Sequence, residues 1–292
     1  MSTPSRLRAL FEDAGTRGWL HAIRLGGSEG EVAVDADALV PMASVYKLPL
    51  LVAFCELVDR GALDPREQVT LEPSDRTAGP TGLSVLLDPV SMSRRDLALS
   101  MMTVSDNAAA DALLDVVGLD RLADFLSRHG LTGTRIRRGT AGNLRDLLDR
   151  TRTDDPDTAF AVLADNDMTD PAGIYEAANA SATTARDMTR LLGLIWSGEV
   201  LSAEQTAFVR RALGLQVFAQ RLGSGFPHDA VRVFGKTGTF AALRHEVGVV
   251  ELPDGSAYAV AVFTRAARGD RKLPRVDQAI GTAARLAVDT LR

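Results

Sequence analysis

Ala43-Ser44-Val45-Tyr46-Lys47-Leu48-Pro49-Leu50-Leu51-Val52-Ala53-Phe54-Cys55-Glu56-Leu57-Val58-Asp59-Arg60-Gly61 is the stretch on which the fold reading turns. The run from Leu48 to Asp59 is apolar almost throughout and Gly61 stops it, which predicts a helix. Ser44 begins this helix and Lys47 follows three residues later, so the two side chains share one face, a turn apart. A serine hydroxyl is a poor nucleophile until a neighbour takes its proton. A lysine that is desolvated or crowded by cations can be neutral and take it. The unpaired N–H groups at a helix start also suit a developing oxyanion. An N-cap serine and a surface lysine would read the same way, and composition alone gives about one Ser-x-x-Lys in a chain of this length. The pattern needs company to mean anything.

Working outward, the regions before and after this helix differ in kind. Residues 5–15 read as a helix, with Leu7, Leu10 and Phe11 on one face. Gly18 to Leu25 reads as a strand, Gly26, Gly27 and Gly30 as a turn, and Glu31 to Val34 as a returning strand. Helical signals dominate from about Ala43 to Leu192: Asp96–Val104, Asn107–Val117 stopped by Gly118, Asp120–Arg128 stopped by Gly130, and 183–196. Residues 151–180, crowded with Asp, Asn, Thr, Pro and Gly, read as a loop-rich segment. Strands return at Val231–Lys236, Glu246–Leu252 and Ala257–Thr264, with Pro253-Asp254-Gly255 as a hairpin turn. Pro274 to Leu291 closes the chain as a helix. The expected fold is α/β in the α+β sense: a five-stranded antiparallel sheet flanked by terminal helices, with an inserted all-helical domain. The expected division is residues 1–42 with 197–292 for the sheet domain and 43–196 for the helical one, with the active site between them.

Two further motifs give Ser44 its company. Ser105-Asp106-Asn107 falls between two predicted helices, where a hydroxyl can relay a proton to a leaving group. The Asn107 amide can there hold Lys47 and a substrate carbonyl at once. Lys236-Thr237-Gly238 falls at the end of a predicted strand. Lys236 can anchor a carboxylate or hold Ser105, Gly238 lets a substrate backbone come close, and Thr239 can offer a second oxyanion N–H. Ser-Asp-Asn and Lys-Thr-Gly each occur by chance in roughly one chain in fifteen or twenty of this length. All three in this order are not an accident of composition.

The set resembles the class A β-lactamase and penicillin-binding protein superfamily. Leu97-Ala98 and Met101-Met102-Thr103-Val104 ahead of Ser105 are similar to that family's run into its second motif. Thr183-Thr184 is similar to the opening of its helix after the active-site loop. The likeness covers about residues 18–290. It implies a two-domain fold and an acyl-enzyme on Ser44. It also implies proton shuttling through Lys47 and Ser105, and an oxyanion hole from the backbone of Ser44 and Thr239. Arg244, in Arg244-His245-Glu246, resembles the family's carboxylate-binding arginine. Candidate catalytic residues are therefore Ser44, Lys47 and Ser105; candidate substrate-binding residues are Asn107, Lys236, Thr237, Gly238, Thr239 and Arg244.

One element of the family is missing. Class A enzymes carry Glu-x-x-Leu-Asn in the loop before the Thr-Thr helix, and its glutamate activates the water that releases the acyl group. Counting back from Thr183 puts that place near Met168, and the motif occurs nowhere in the chain. Asp167, Asp170 and Glu176 are the carboxylates on hand, each also readable as a solvated loop residue. The expectation is a β-lactamase-like serine hydrolase or acyltransferase acting on a lactam, amide or ester, slow to release β-lactams or passing its acyl group to an acceptor other than water. An esterase or transacylase in a biosynthetic route, and a non-catalytic ligand-binding protein, are the alternatives.

Composition excludes other classes. The net charge of −5 gives no reason to expect a nucleic-acid or membrane-surface partner. No run of 18 apolar residues predicts a membrane span. The single cysteine, Cys55, rules out an intramolecular disulfide and a Cys-rich metal site, and reads as a small core residue. His21, His129, His228 and His245 lack metal-ligand spacing, so no cofactor or metal is expected. Gly26-Gly27-Ser28-Glu29-Gly30 matches a nucleophile elbow in letters, but strand residues follow it, so it reads as a hairpin turn. Gly223-Ser224-Gly225 lacks the third glycine of a dinucleotide loop. Trp19 and Trp196 read as core, and Tyr46 as core or the edge of the site. Arg6, Arg8, Glu12 and Asp13 interrupt what would have to be a secretory signal, so the expected location is cytoplasmic.

Overall fold

The computed structural model describes residues 1–27, 30–164 and 173–292. Helix α1 (Thr3–Asp13) leads into strands β1 (Thr16–Leu25), β2 (Glu31–Val34) and β3 (Val40–Pro41). A 3₁₀ turn at Ala43–Tyr46 opens α2 (Lys47–Asp59), followed by β4 (Gln68–Leu71) and β5 (Val90–Ser93). Five helices come next: α3 (Arg94–Thr103), α4 (Asn107–Val117), α5 (Leu119–Arg128), α6 (Thr140–Thr151) and α7 (Pro156–Ala164). The chain ends with β6 (Ala182–Thr183), α8 (Ala185–Ser197), α9 (Ala203–Gly214), β7 (Arg232–Phe240), β8 (Leu243–Glu251), β9 (Ala257–Ala266) and α10 (Pro274–Leu291).

The main sheet is five-stranded and antiparallel, in the order β2-β1-β9-β8-β7. The β8–β9 hairpin turns at Gly255, whose φ of +83° few residues but glycine adopt comfortably. Short two-stranded ribbons join β3 to β6 and β4 to β5. The central strands are buried on both faces, which is why they read as near-continuous Val and Ala. On one face α1 and α10 cover Leu20, Ala22, Val260 and Val262 with Leu7, Phe11, Ile280, Ala284 and Val288. On the other, Trp19, Val247, Val249, Ala261 and Phe263 join a larger core built from α2, α3, α4, α5, α8 and α9. Helix α2 is the centre of that core. Its Leu48 and Leu50 through Phe54 are almost wholly buried, so it is apolar all round, not amphipathic. This matters for function, because the same burial surrounds Lys47.

The order of the main elements follows the sequence expectation, with the short strands β3, β4, β5 and β6 and three helices as additions. Helices α6 and α9 were not anticipated, and α7 lies inside the segment read as loop-rich. In α7 the apparent loop signals do a helix's work. Pro156 opens the first turn, the Asp155 carboxylate accepts from Thr158 N at 2.9 Å, and Ala159 and Leu163 are buried. Helix α6 starts after Gly139 without a local cap. Its first N–H groups, from Thr140 and Ala141, donate to Asp111 on α4, each at 2.7 Å. The cap comes from 29 residues away, where no local pattern reveals it.

Candidate active site

β7 is an edge strand, paired only with β8, and at Gly238 it packs on the turn that opens α2. Gly238 shows how closely. A Cβ placed there would lie 2.9 Å from the Met42 carbonyl oxygen and 3.0 Å from Val45 Cγ2. The space that its missing side chain leaves is filled by the Ser44 turn, so this glycine draws the strand against the nucleophile's own loop.

Three residues around this junction hold left-handed backbones without being glycine: Ala43 (φ +44°), Ser105 (φ +57°) and Ala241 (φ +44°). Each such position costs about 1–3 kcal/mol and persists only where its surroundings enforce it. Ser44 is half-buried in the 3₁₀ turn, and among the described residues its hydroxyl has no hydrogen-bond partner. The Lys47 N–H donates to the Ser44 carbonyl, which fixes the one-turn relation between them.

Lys47 is fully buried. Its ammonium nitrogen lies 2.7 Å from the Ser105 carbonyl, 2.8 Å from Asn107 Oδ1 and 3.4 Å from Ser105 Oγ. Burial pushes the amine down to about 7, against the pull of the Asp106 and Asp111 carboxylates. Lys236, equally buried, reaches Ser105 Oγ at 3.0 Å and the Thr237 carbonyl at 2.8 Å. Burial first, and the Lys47 charge second, depress its basicity strongly. Asn107 uses one N–H on the Ala78 carbonyl at 2.9 Å, which leaves the other for a ligand.

Asp106 holds the second motif in place. It accepts from Leu83 N and Ser100 Oγ at 2.7 Å each, and caps α4 through Ala109 N at 3.2 Å. Gly82, at φ +64°, leaves the room: a Cβ there would sit 2.3 Å from Asp106 Oδ2.

Behind β7 lies a layer that motif reading missed. Arg221 donates to Asp277 at 2.6 Å, to the Gly238 and His245 carbonyls at 2.9 and 2.8 Å, and to Thr239 Oγ1 at 2.8 Å. Gln216 Oε1 accepts from Thr237 N at 2.6 Å and Thr237 Oγ1 at 3.0 Å, while its Nε2 donates to Glu246 Oε1 at 2.8 Å. Glu246 also accepts from Leu222 N at 2.6 Å, and burial pushes its carboxyl up to about 7. The one available signal was a glutamate inside the apolar run of β8; Gln216 and Arg221 sit in irregular chain with no signal at all.

Arg244 is 3% exposed, and its guanidinium donates to the carbonyls of Ala241, Leu243, Asp270 and Arg271. His245 is neutral because burial drives it to about 3. Thr264 N donates to its Nδ1, which puts the ring proton on Nε2. Tyr46 is a core residue whose hydroxyl meets Thr140 Oγ1 at 2.8 Å. Cys55 is buried, and burial raises its thiol far above the ordinary range. Glu176 is exposed; Asp167 and Asp170 lie outside the described residues. Among the described residues, no group of His, Cys, Asp and Glu forms a metal site, and no helix is long and apolar enough to cross a membrane.

Two buried lysines thus share one serine hydroxyl at the junction of an edge strand and a central helix. The chain belongs to the beta-lactamase enzyme family, whose model matches residues 3–291. Among curated proteins it is similar to the beta-lactamase regulatory protein BlaB of Streptomyces cacaoi, 31% identical over 278 residues, covering 90% of this chain and 89% of the relative. Among solved structures it is similar in fold to a beta-lactamase from Sphaerobacter thermophilus, at 23% identity, with 99% and 96% of the two chains covered and a TM-score of 0.79. A mutant of PBP-A, solved as an acyl-enzyme complex with penicillin G, is 22% identical over 99% of this chain and 95% of its own, with a TM-score of 0.78.

Proposed function

We propose that this protein forms an acyl-enzyme on Ser44 from a lactam, amide or ester, in the cleft between a sheet unit (1–42 and 197–292) and a helical unit (43–196). The observation that carries the reading is Ser105 Oγ, set 3.0 Å from the Lys236 amine and 3.4 Å from the Lys47 amine.

The chemistry follows from the groups present. Neutral Lys47 accepts the Ser44 hydroxyl proton as Ser44 Oγ bonds to the acyl carbon and the carbonyl π pair moves onto oxygen. Backbone N–H groups of Ser44 and Thr239 receive that oxyanion. In support, Thr237 N turns away from β8 to Gln216, so the two-residue alternation of a strand turns Thr239 N to the same free edge. As the tetrahedral species collapses, the bond to the leaving nitrogen or oxygen breaks. The leaving atom takes the Ser105 proton, and Lys47 restores it. Release of the acyl group by water or another acceptor completes the cycle. The absent Glu-x-x-Leu-Asn predicts that hydrolysis is slow.

A second reading is a ligand-responsive protein without turnover. What favours it is the regulatory name of the Streptomyces cacaoi relative. Intact-protein mass spectrometry with benzylpenicillin and with an activated ester separates the two. A persistent adduct that Ser44→Ala abolishes supports acylation. Absence of any adduct with both reagents leaves the non-catalytic reading standing.

A further inference from the structure

We propose that Asp111 is a positioning residue for the chemistry at Ser44: its carboxylate docks the N-terminus of α6 beside the turn that carries Lys47, and its charge sets the strength of Lys47 as a base. The inference rests on the acylation reading and adds to that same site a residue outside all three motifs.

Asp111 follows Asn107 by one turn of α4, so the two side chains share a face. Asn107 accepts from the Lys47 amine at 2.8 Å. The Asp111 carboxylate accepts from Thr77 Oγ1 at 2.6 Å and from Thr140 N and Ala141 N at 2.7 Å each. Its hydrogen-bond partners among the described residues are all uncharged. Gly139 makes the approach possible, because a Cβ there would lie 2.2 Å from Asp111 Oδ1. A second contact ties α6 to the same place: the hydroxyl of Tyr46, which directly precedes Lys47, meets Thr140 Oγ1 at 2.8 Å. Asp111 thus fastens α6 to α4, and α6 in turn touches the start of α2.

Electrostatics gives the carboxylate its second role. With no cation of its own, its field acts on the charged groups nearby. Those facing Lys47 are Asp106 and Asp111 from α4 and Lys236 from β7, while Tyr46 adjoins it on its own helix. Burial weakens the Lys47 amine as a base, and Asp106 and then Asp111 oppose that loss. Asp106 is engaged within the second motif, by Leu83 N, Ser100 Oγ and Ala109 N. Asp111 instead links the Lys47 charge to the seating of another helix. When Lys47 takes the Ser44 proton it becomes an ammonium out of water, and a fixed carboxylate stabilises that charge as it forms.

The test follows Ser44 labelling by a neutral activated ester against pH, timed by intact-protein mass spectrometry on the full chain. Asp111→Asn keeps an oxygen for the α6 N–H groups and removes the charge. Its midpoint is expected to fall at least about half a pH unit below that of the wild type. Its plateau is expected to be about threefold lower or more, because a weaker base takes the proton less readily. Thr140→Val breaks the contact with Tyr46 and keeps the charge, so its midpoint is expected to match the wild type. An unshifted midpoint in a folded Asp111→Asn overturns the proposal without touching Ser44 acylation. So does an equal shift in both variants. Should Asp111→Asn fail to fold, hydrogen exchange in the wild type decides. The Thr140 and Ala141 amides head their helix, where no carbonyl of that helix accepts from them. Held by Asp111, they are expected to exchange at least about tenfold more slowly than in an unstructured chain. Exchange at the unprotected rate overturns the proposal. Absence of any adduct on the wild type overturns the acylation reading and this proposal together.

Discussion

Lys47 on α2 and Lys236 on β7 converge on one oxygen, Ser105 Oγ, at 3.4 and 3.0 Å, and both amines are fully buried. Two ammonium charges that close, out of water, repel strongly, so the pair favours proton loss from at least one. Burial brings Lys47, one turn along from Ser44, down to about 7, so its neutral form is populated near physiological pH.

The first consequence is a pH profile. With Lys47 brought down to about 7, its neutral form grows as pH rises through that value. Ser44 acylation should rise with a midpoint near 7 and level off above it, as read from the rate of labelling by a neutral activated ester. A midpoint beyond 9 would mean that Lys47 stays charged and another base acts.

Removing Lys236 takes away one of the two amines on Ser105. Lys236→Ala should slow acylation by roughly 100-fold or more, the range for a positioned proton-transfer group. Lys236→Arg should not restore it, because a planar guanidinium does not fit a fully buried ammonium site. The comparison is single-turnover labelling of the three proteins.

Gly238→Ala should damage both fold and function. Its methyl would meet the Met42 carbonyl at 2.9 Å, a backbone atom that cannot swing aside. Overpacking of this kind costs roughly 1–3 kcal/mol. Urea unfolding measures that loss, and Ser44 labelling should fall at least about tenfold because the nucleophile's turn shifts.

Glu246 makes stability depend on pH. Its folded value of about 7 lies above the ordinary value of 4.5, so between them the folded state holds a proton that the unfolded state has released. Stability from this group therefore falls as pH rises from 4.5 to 7, and the whole penalty, on the order of 3 kcal/mol, applies above 7. Glu246→Gln removes that slope. Its stability relative to wild type should improve from pH 5 to pH 8 in paired urea titrations, a comparison in which the Lys47 contribution cancels. A constant difference at both pH values would show that Glu246 does not titrate in this window.

The sequence by itself determined a great deal. The strands at 18–25, 31–34 and 257–264, the helix at 48–59 and the closing helix at 274–291 were legible because each depends on its own periodicity and punctuation. The motif residues Ser44, Lys47, Ser105, Asn107 and Lys236 could be singled out because three short motifs in that order resemble a known family's set. What the tertiary structure alone decided is everything that depends on a partner remote in sequence. Asp111 caps α6 from another helix, Gly238 makes room for the Met42 carbonyl, and Arg244 reaches the carbonyls of Asp270 and Arg271. Glu246 holds Gln216, whose amide oxygen accepts from Thr237 N. Burial and hydrogen-bond direction are properties of surroundings, and the surroundings of these residues exist only once α2 and β7 have come together.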